Sequence, residues 1–86
     1  MGKYRVLLRK SAAGELSRIP KKDLLRILER IRLLEEEARP QGREKLSAQE
    51  RYRVRRGDDR IVYSIDDEKR TIDIFKIGHR SELYRS

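Results

Sequence analysis

The chain has 86 residues and no cysteine, and its 23 Lys and Arg outnumber 15 acidic residues, for a formal net charge of +8. This length supports one small domain (1–86) with a modest core, and the absence of cysteine excludes a disulfide framework or a thiolate metal site. The cationic excess suits a polyanionic partner: nucleic acid, ribosome or an acidic protein.

No apolar run approaches the ~20 residues of a membrane span. The opening MGKYRVLLRK lacks the apolar stretch and small-residue cleavage site of a secretory signal. The expectation is a soluble cytoplasmic protein that does not engage a membrane.

The first element predicted is a strand over 3–9, in which Tyr4, Val6 and Leu8 alternate with Arg5, Leu7 and Arg9. Ser11 is placed to cap a short helix over 12–19, weakened by Gly14. Pro20 suits the first turn of a second helix. That helix, KKDLLRILERIRLLEEEAR, carries Leu24, Leu25, Ile27, Leu28, Ile31 and Leu34 as an apolar stripe opposite a charged face. Pro40 and Gly42 end it, and residues 41–50 form a polar connection with Leu46 as its anchor.

Three strands follow. RYRVR (51–55) sends Tyr52 and Val54 one way and Arg51, Arg53 and Arg55 the other. RGDD turns the chain into RIVYSI (60–65), DDEK turns it again, and RTIDIFKIG (70–78) ends the series. The order β-α-α-β-β-β predicts an α+β fold, with two N-terminal helices on one face of a four-stranded, mostly antiparallel sheet. The other face is then open, and the arginines point to it.

Two constellations on this frame can carry chemistry. Arg51, Arg53 and Arg55 stand about 7 Å apart along one strand face, and Arg60 begins the adjacent strand. Arg56 adds a further cation beside the turn. Guanidinium groups stay charged and offer paired donors, as a phosphate backbone requires. The bland alternative is a solvated outer face.

The second constellation is GHRSELYR at 78–85, which holds the only histidine. Cleavage of RNA by its own 2′-OH needs a base, a cation at the crowded phosphate and an acid for the leaving 5′-oxygen. His79 can move protons near neutral pH, Arg80 can hold phosphate, and Tyr84 can stack on a base or lend its hydroxyl. The bland alternative is a loop histidine with Tyr84 as a packing residue. Asp58, Asp59, Asp66, Asp67 and Glu68 read as turn residues, and Glu35, Glu36 and Glu37 as a solvated helix end. A single histidine without cysteine argues against zinc, and no glycine-rich phosphate loop is present.

The string YRVRRGDDRIVYSIDDEKRTIDIFKIGHRSELY resembles the RelE/ParE superfamily of toxins, in its RelE branch. The carriers are the alternating basic strand, the Gly-Asp turn, R-I-V-Y, and the ending G-H-R-x-x-L-Y. The front half agrees in outline, including the L-x-x-I-P break before the long helix.

The resemblance implies a toxin of a type II toxin–antitoxin system, an mRNA interferase that cuts mRNA in the ribosomal A site by metal-independent 2′-OH transesterification. It implies no cofactor. The partners it implies are the ribosome, mRNA and a cognate RelB-like antitoxin that wraps the toxin. Carried onto this chain, the resemblance gives Arg53, Arg55, Arg60, Arg80 and Tyr84; His79 joins this catalytic set on its own chemistry, and Arg51 and Arg56 are further RNA-phosphate contacts from the basic row. Better-known members have lysine at the positions of Arg53 and Arg55. Arginine cannot serve as a base, which moves proton transfer toward His79. The Arg80-to-Tyr84 spacing is also shorter than in those members. Two rivals share the fold: a ParE-like gyrase inhibitor, and an inactive RNA- or ribosome-binding homologue.

Overall fold

The computed structural model describes residues 3–46, 50–57 and 59–78. The elements run β1 (Arg5–Leu8), α1 (Lys10–Leu16), α2 (Lys21–Glu36), β2 (Glu44–Lys45), β3 (Arg51–Arg56), β4 (Asp59–Asp66) and β5 (Thr71–Gly78). The fold is α+β, as predicted, but the sheet has five strands in the order β1-β5-β4-β3-β2. The strand missed is β2. Two charged residues carry no period-two apolar signal, and only pairing of Glu44 with Arg53 and Lys45 with Tyr52 makes them a strand. β1 runs parallel to β5, and the other pairs are antiparallel.

Alternation on the strands divides the sheet cleanly. Tyr52 and Val54 of β3, Ile61, Tyr63 and Ile65 of β4, and Ile72, Ile74 and Ile77 of β5 are buried. They pack with Ala12 of α1 and Ile27, Ile31 and Leu34 of α2 in one core. The Tyr63 hydroxyl, fully buried, donates to the Ala38 carbonyl at 2.8 Å. That bond ties the centre of the sheet to the chain leaving α2, and burial pushes the Tyr63 phenol up to about 12.

The helices differ from expectation; α1 ends at Leu16 and α2 at Glu36, each short of its predicted end. Leu25 and Leu28 lie outside the buried stripe, at 63% and 42% exposure. At 3.6 residues per turn, Leu25 points about 160° from Ile27 and therefore away from the sheet. The first helix begins earlier than predicted, after Arg9, with no side-chain cap, so Ser11 lies inside it. Leu46 is 42% exposed and is not part of the core; its backbone N–H donates to the Arg51 carbonyl.

Ser11 has other work. β5 runs beyond the end of β1, whose last paired residue is Leu8 opposite Ile74. The bare edge is satisfied by Arg9 and by α1. The Arg9 N–H donates to the Ile74 carbonyl, the Ser11 hydroxyl donates to the Phe75 carbonyl at 2.9 Å, and the Ile77 N–H donates to Glu15 at 2.7 Å. Four helical residues rise about 6 Å and two strand residues about 6.7 Å, so side chains at 11 and 15 match backbone groups at 75 and 77.

A polar clasp closes the opposite end of the sheet. Arg39 donates to Glu50 and Asp67, Tyr52 donates to Glu50, and Tyr4 donates to Asp67. These bonds join the residue before β1, the exit of α2, the start of β3 and the β4–β5 turn. Asp67 is held below the usual carboxylate range, first by Arg39 and then by Tyr4.

Candidate nucleic-acid interface

With the helices on one side of the sheet, the side chains on the other face are set by strand parity. Arg51, Arg53 and Arg55 stand on β3, opposite Ser64, Val62 and Arg60 of β4 respectively. Arg55 and Arg60 are thus direct cross-strand neighbours. Like charges in that position repel, an arrangement that costs stability unless an anion lies between them. The Arg60 guanidinium is half-buried, and its Nε has no hydrogen-bond partner among the described residues.

An internal anion approaches this cluster. Glu44 of β2 pairs with Arg53 and accepts hydrogen bonds from its Nε, at 2.7 Å, and from its Nη2. The Glu44 carboxyl is held below the ordinary carboxylate range, first by the Arg53 hydrogen bonds and also by the fields of Arg55 and Arg60. One carboxylate therefore senses three guanidiniums from two strands. A phosphate oxygen has the same charge and acceptor character. Glu44 escaped the sequence reading because it sits in a polar connection; only the short β2 ladder carries it to the arginines.

The remaining predicted residues divide as follows. Arg51 is exposed on the same face but further along, stacked on Phe75 rather than joined to the cluster. The backbone of Arg56 pairs with Asp59 at the end of β3; its side chain lies outside the described part. His79, Arg80 and Tyr84 also lie outside the described residues. β5 ends at Gly78, which is paired with Arg60.

Asp59 departs from its predicted turn role. It is the first residue of β4, only 3% exposed, and accepts from Arg26 Nε of α2 at 2.8 Å. Arg26 also pairs with Asp23. Asp59 is thus a buried lock between the β3–β4 hairpin and α2, and its parity puts it on the helix side of the sheet. Sequence reasoning missed this because the turn residues Asp58 and Asp59 look alike without a register.

β5 contains one irregularity. Val62 faces Lys76 while Tyr63 faces Ile74, leaving Phe75 without a partner on β4. The bulge restores Ile77 to the core and turns Lys76 outward, where its ammonium meets Glu15 at 3.0 Å. Bulges of this kind re-aim side chains next to sites. Among the described residues there is no group of three or more His, Cys, Asp or Glu arranged to hold a metal ion.

Fold and surface together define a class: a small α+β protein that carries a row of arginines on the sheet face away from its helices. The chain belongs to the RelE/ParE superfamily, since the family described as the ParE toxin of type II toxin–antitoxin system, parDE, matches residues 6–84. Its solved relatives are RelE proteins. The archaeal RelE–RelB complex from Pyrococcus horikoshii OT3 is 30% identical, with a TM-score of 0.77, covering 98% of this chain and 99% of that one. The toxin–antitoxin complex RelBE2 from Mycobacterium tuberculosis is 28% identical, with a TM-score of 0.78, covering 91% and 99%. Toxin RelG of Mycobacterium tuberculosis is 44% identical over 34 residues, which is 40% of this chain and 39% of that protein. No helix among the described residues is long and apolar enough to cross a membrane.

Proposed function

We propose that this chain is the toxin of a type II toxin–antitoxin pair and cleaves mRNA in the ribosomal A site without a metal. The observation that carries the reading is the set of Arg53, Arg55 and Arg60 in the field of one carboxylate, with Arg60 paired to Gly78, the last residue of β5. In the proposed reaction the mRNA 2′-oxygen attacks the adjacent phosphorus as the bond to the 5′-oxygen breaks. The products are a 2′,3′-cyclic phosphate and a 5′-hydroxyl end. One proton leaves the 2′-OH for a base, and one reaches the 5′-oxygen from an acid.

The arginines cannot supply the base, because guanidinium does not lose its proton in this range. Their work is electrostatic: they hold the phosphate and stabilise its growing negative charge. His79 is assigned proton transfer, and Tyr84 base stacking or a hydroxyl contact. Glu44 is a poor base as it stands, since its carboxyl is held low by Arg53 and an effective base titrates near the working pH. Glu44 is better suited to fill the cluster until phosphate replaces it.

An antitoxin partner is supported by the RelE–RelB complexes among the solved relatives. The net charge of +8 suits an acidic wrapping segment.

The purified protein is added to translating ribosomes and mRNA ends are mapped. In-frame cuts confined to translated RNA support the reading. Intact RNA beside inhibited supercoiling by gyrase would replace it with the ParE-type activity, which the name of the matching family favours.

A further inference from the structure

Phe75 is the single phenylalanine of the chain. It is half-buried, yet it belongs neither to the core nor to the apolar residues packed against it. The Arg51 guanidinium lies over its ring at 4.5 Å from the centroid, and that of Arg9 at 5.0 Å. Arg9 follows β1 and Arg51 opens β3, so cations reach the ring from both sides of β5. Arg51 reaches it across β4, where the intervening residue is the small Ser64.

We infer that Phe75, Arg9 and Arg51 form a stacking platform for one base of single-stranded RNA, beside the phosphate held by Arg53, Arg55 and Arg60. The inference rests on the proposed RNA substrate and names a second contact for it. An aromatic ring flanked by two guanidiniums matches the chemistry of an unpaired nucleotide. The base stacks on a planar surface, and the cations meet its phosphates.

Arg51 makes no ion pair among the described residues, so its guanidinium can leave the ring for a phosphate and yield the ring face to a base. Arg9 is steadied by Asp73 at 3.4 Å. Phe75 lies near the level of Val62 and Ser64, two to four residues along β4 from Arg60. That is about 7–13 Å, a separation a dinucleotide can bridge. Bases inside a duplex are stacked on one another and cannot reach the ring, so the ligand is a single strand.

The test is a binding cycle with a tetraribonucleotide made uncleavable by 2′-deoxy substitution. Each base is removed in turn, and the wild-type protein is compared with Phe75→Leu. Loss of one particular base is expected to weaken wild-type binding about fivefold or more. Phe75→Leu should weaken binding of the intact strand similarly and should be indifferent to that base. Phe75→Tyr and Phe75→Trp should restore the preference.

The abasic series on wild-type protein does not depend on the variant folding. Equal binding of all abasic strands, an unaltered Phe75→Leu, or no wild-type binding of the strand would each overturn the platform. Cleavage on translating ribosomes is scored separately. A base-dependent Phe75 effect without ribosomal cleavage keeps the platform and rejects the nuclease, and the opposite pattern does the reverse.

Discussion

Replacing Glu44 by Gln removes the internal anion while keeping the length and an acceptor oxygen. In the native protein Arg53 is engaged by Glu44, and the same carboxylate offsets Arg55 and Arg60. With no carboxylate left to compete for Arg53, its phosphate contact should count in full, a gain of up to about one contact. For single strands each contact contributes about 0.7 to the slope of log affinity against log salt. The variant should therefore bind a short uncleavable RNA more tightly at low salt. Between 50 and 200 mM salt it should lose up to about 2.6-fold more affinity than the wild type does, since a fourfold salt change is raised to that power. Fluorescence anisotropy across a salt series measures both quantities. An unchanged slope together with unchanged or weaker low-salt binding would refute the view that Glu44 competes with phosphate. Tighter binding with abolished cleavage would give Glu44 a part in proton transfer as well.

Tyr63→Phe deletes a fully buried hydrogen bond and strands the Ala38 carbonyl. A loss of about 1–2 kcal/mol is expected, and thermal unfolding should show a midpoint lower by about 4–8 °C per kcal/mol. Glu50 is held down to about 2, first by the Tyr52 hydroxyl and then by Arg39. A carboxylate depressed on folding contributes stability above its unfolded value near 4.5, and that contribution fades as pH falls toward about 2. Denaturant titrations of Tyr52→Phe should accordingly show a shallower loss of stability across that acid window than the wild type. Glu15→Ala leaves the Ile77 N–H without its acceptor and releases Lys76. We expect RNA cleavage to fall about tenfold at saturating substrate, the scale of a small misplacement of reacting groups. Glu15→Gln, which still accepts from Ile77, should retain most of the activity.

What the sequence determined by itself was the local grammar of the fold. Period-two alternation in RYRVR placed Tyr52 and Val54 inward and Arg51, Arg53 and Arg55 outward, because a strand has only two faces, while RIVYSI was legible as a strand from its β-formers alone. The long helix and its buried Ile27, Ile31 and Leu34 were legible for the corresponding reason at 3.6 residues per turn. That Arg60 begins the strand next to the arginine row was legible from the short turn; its direct pairing with Arg55 came from the register of the hairpin. Tertiary structure decided what depends on residues far apart in the chain. Glu44 acquires meaning only when β2 lies beside Arg53, Glu15 and Ser11 only when α1 meets the bare edge of β5, and Phe75 only when Arg9 and Arg51 converge on it. Side-chain periodicity is set by the backbone of one element and can be read along the chain. Juxtaposition is set by how the helix layer and five strands bury their shared apolar face, and no single segment encodes that.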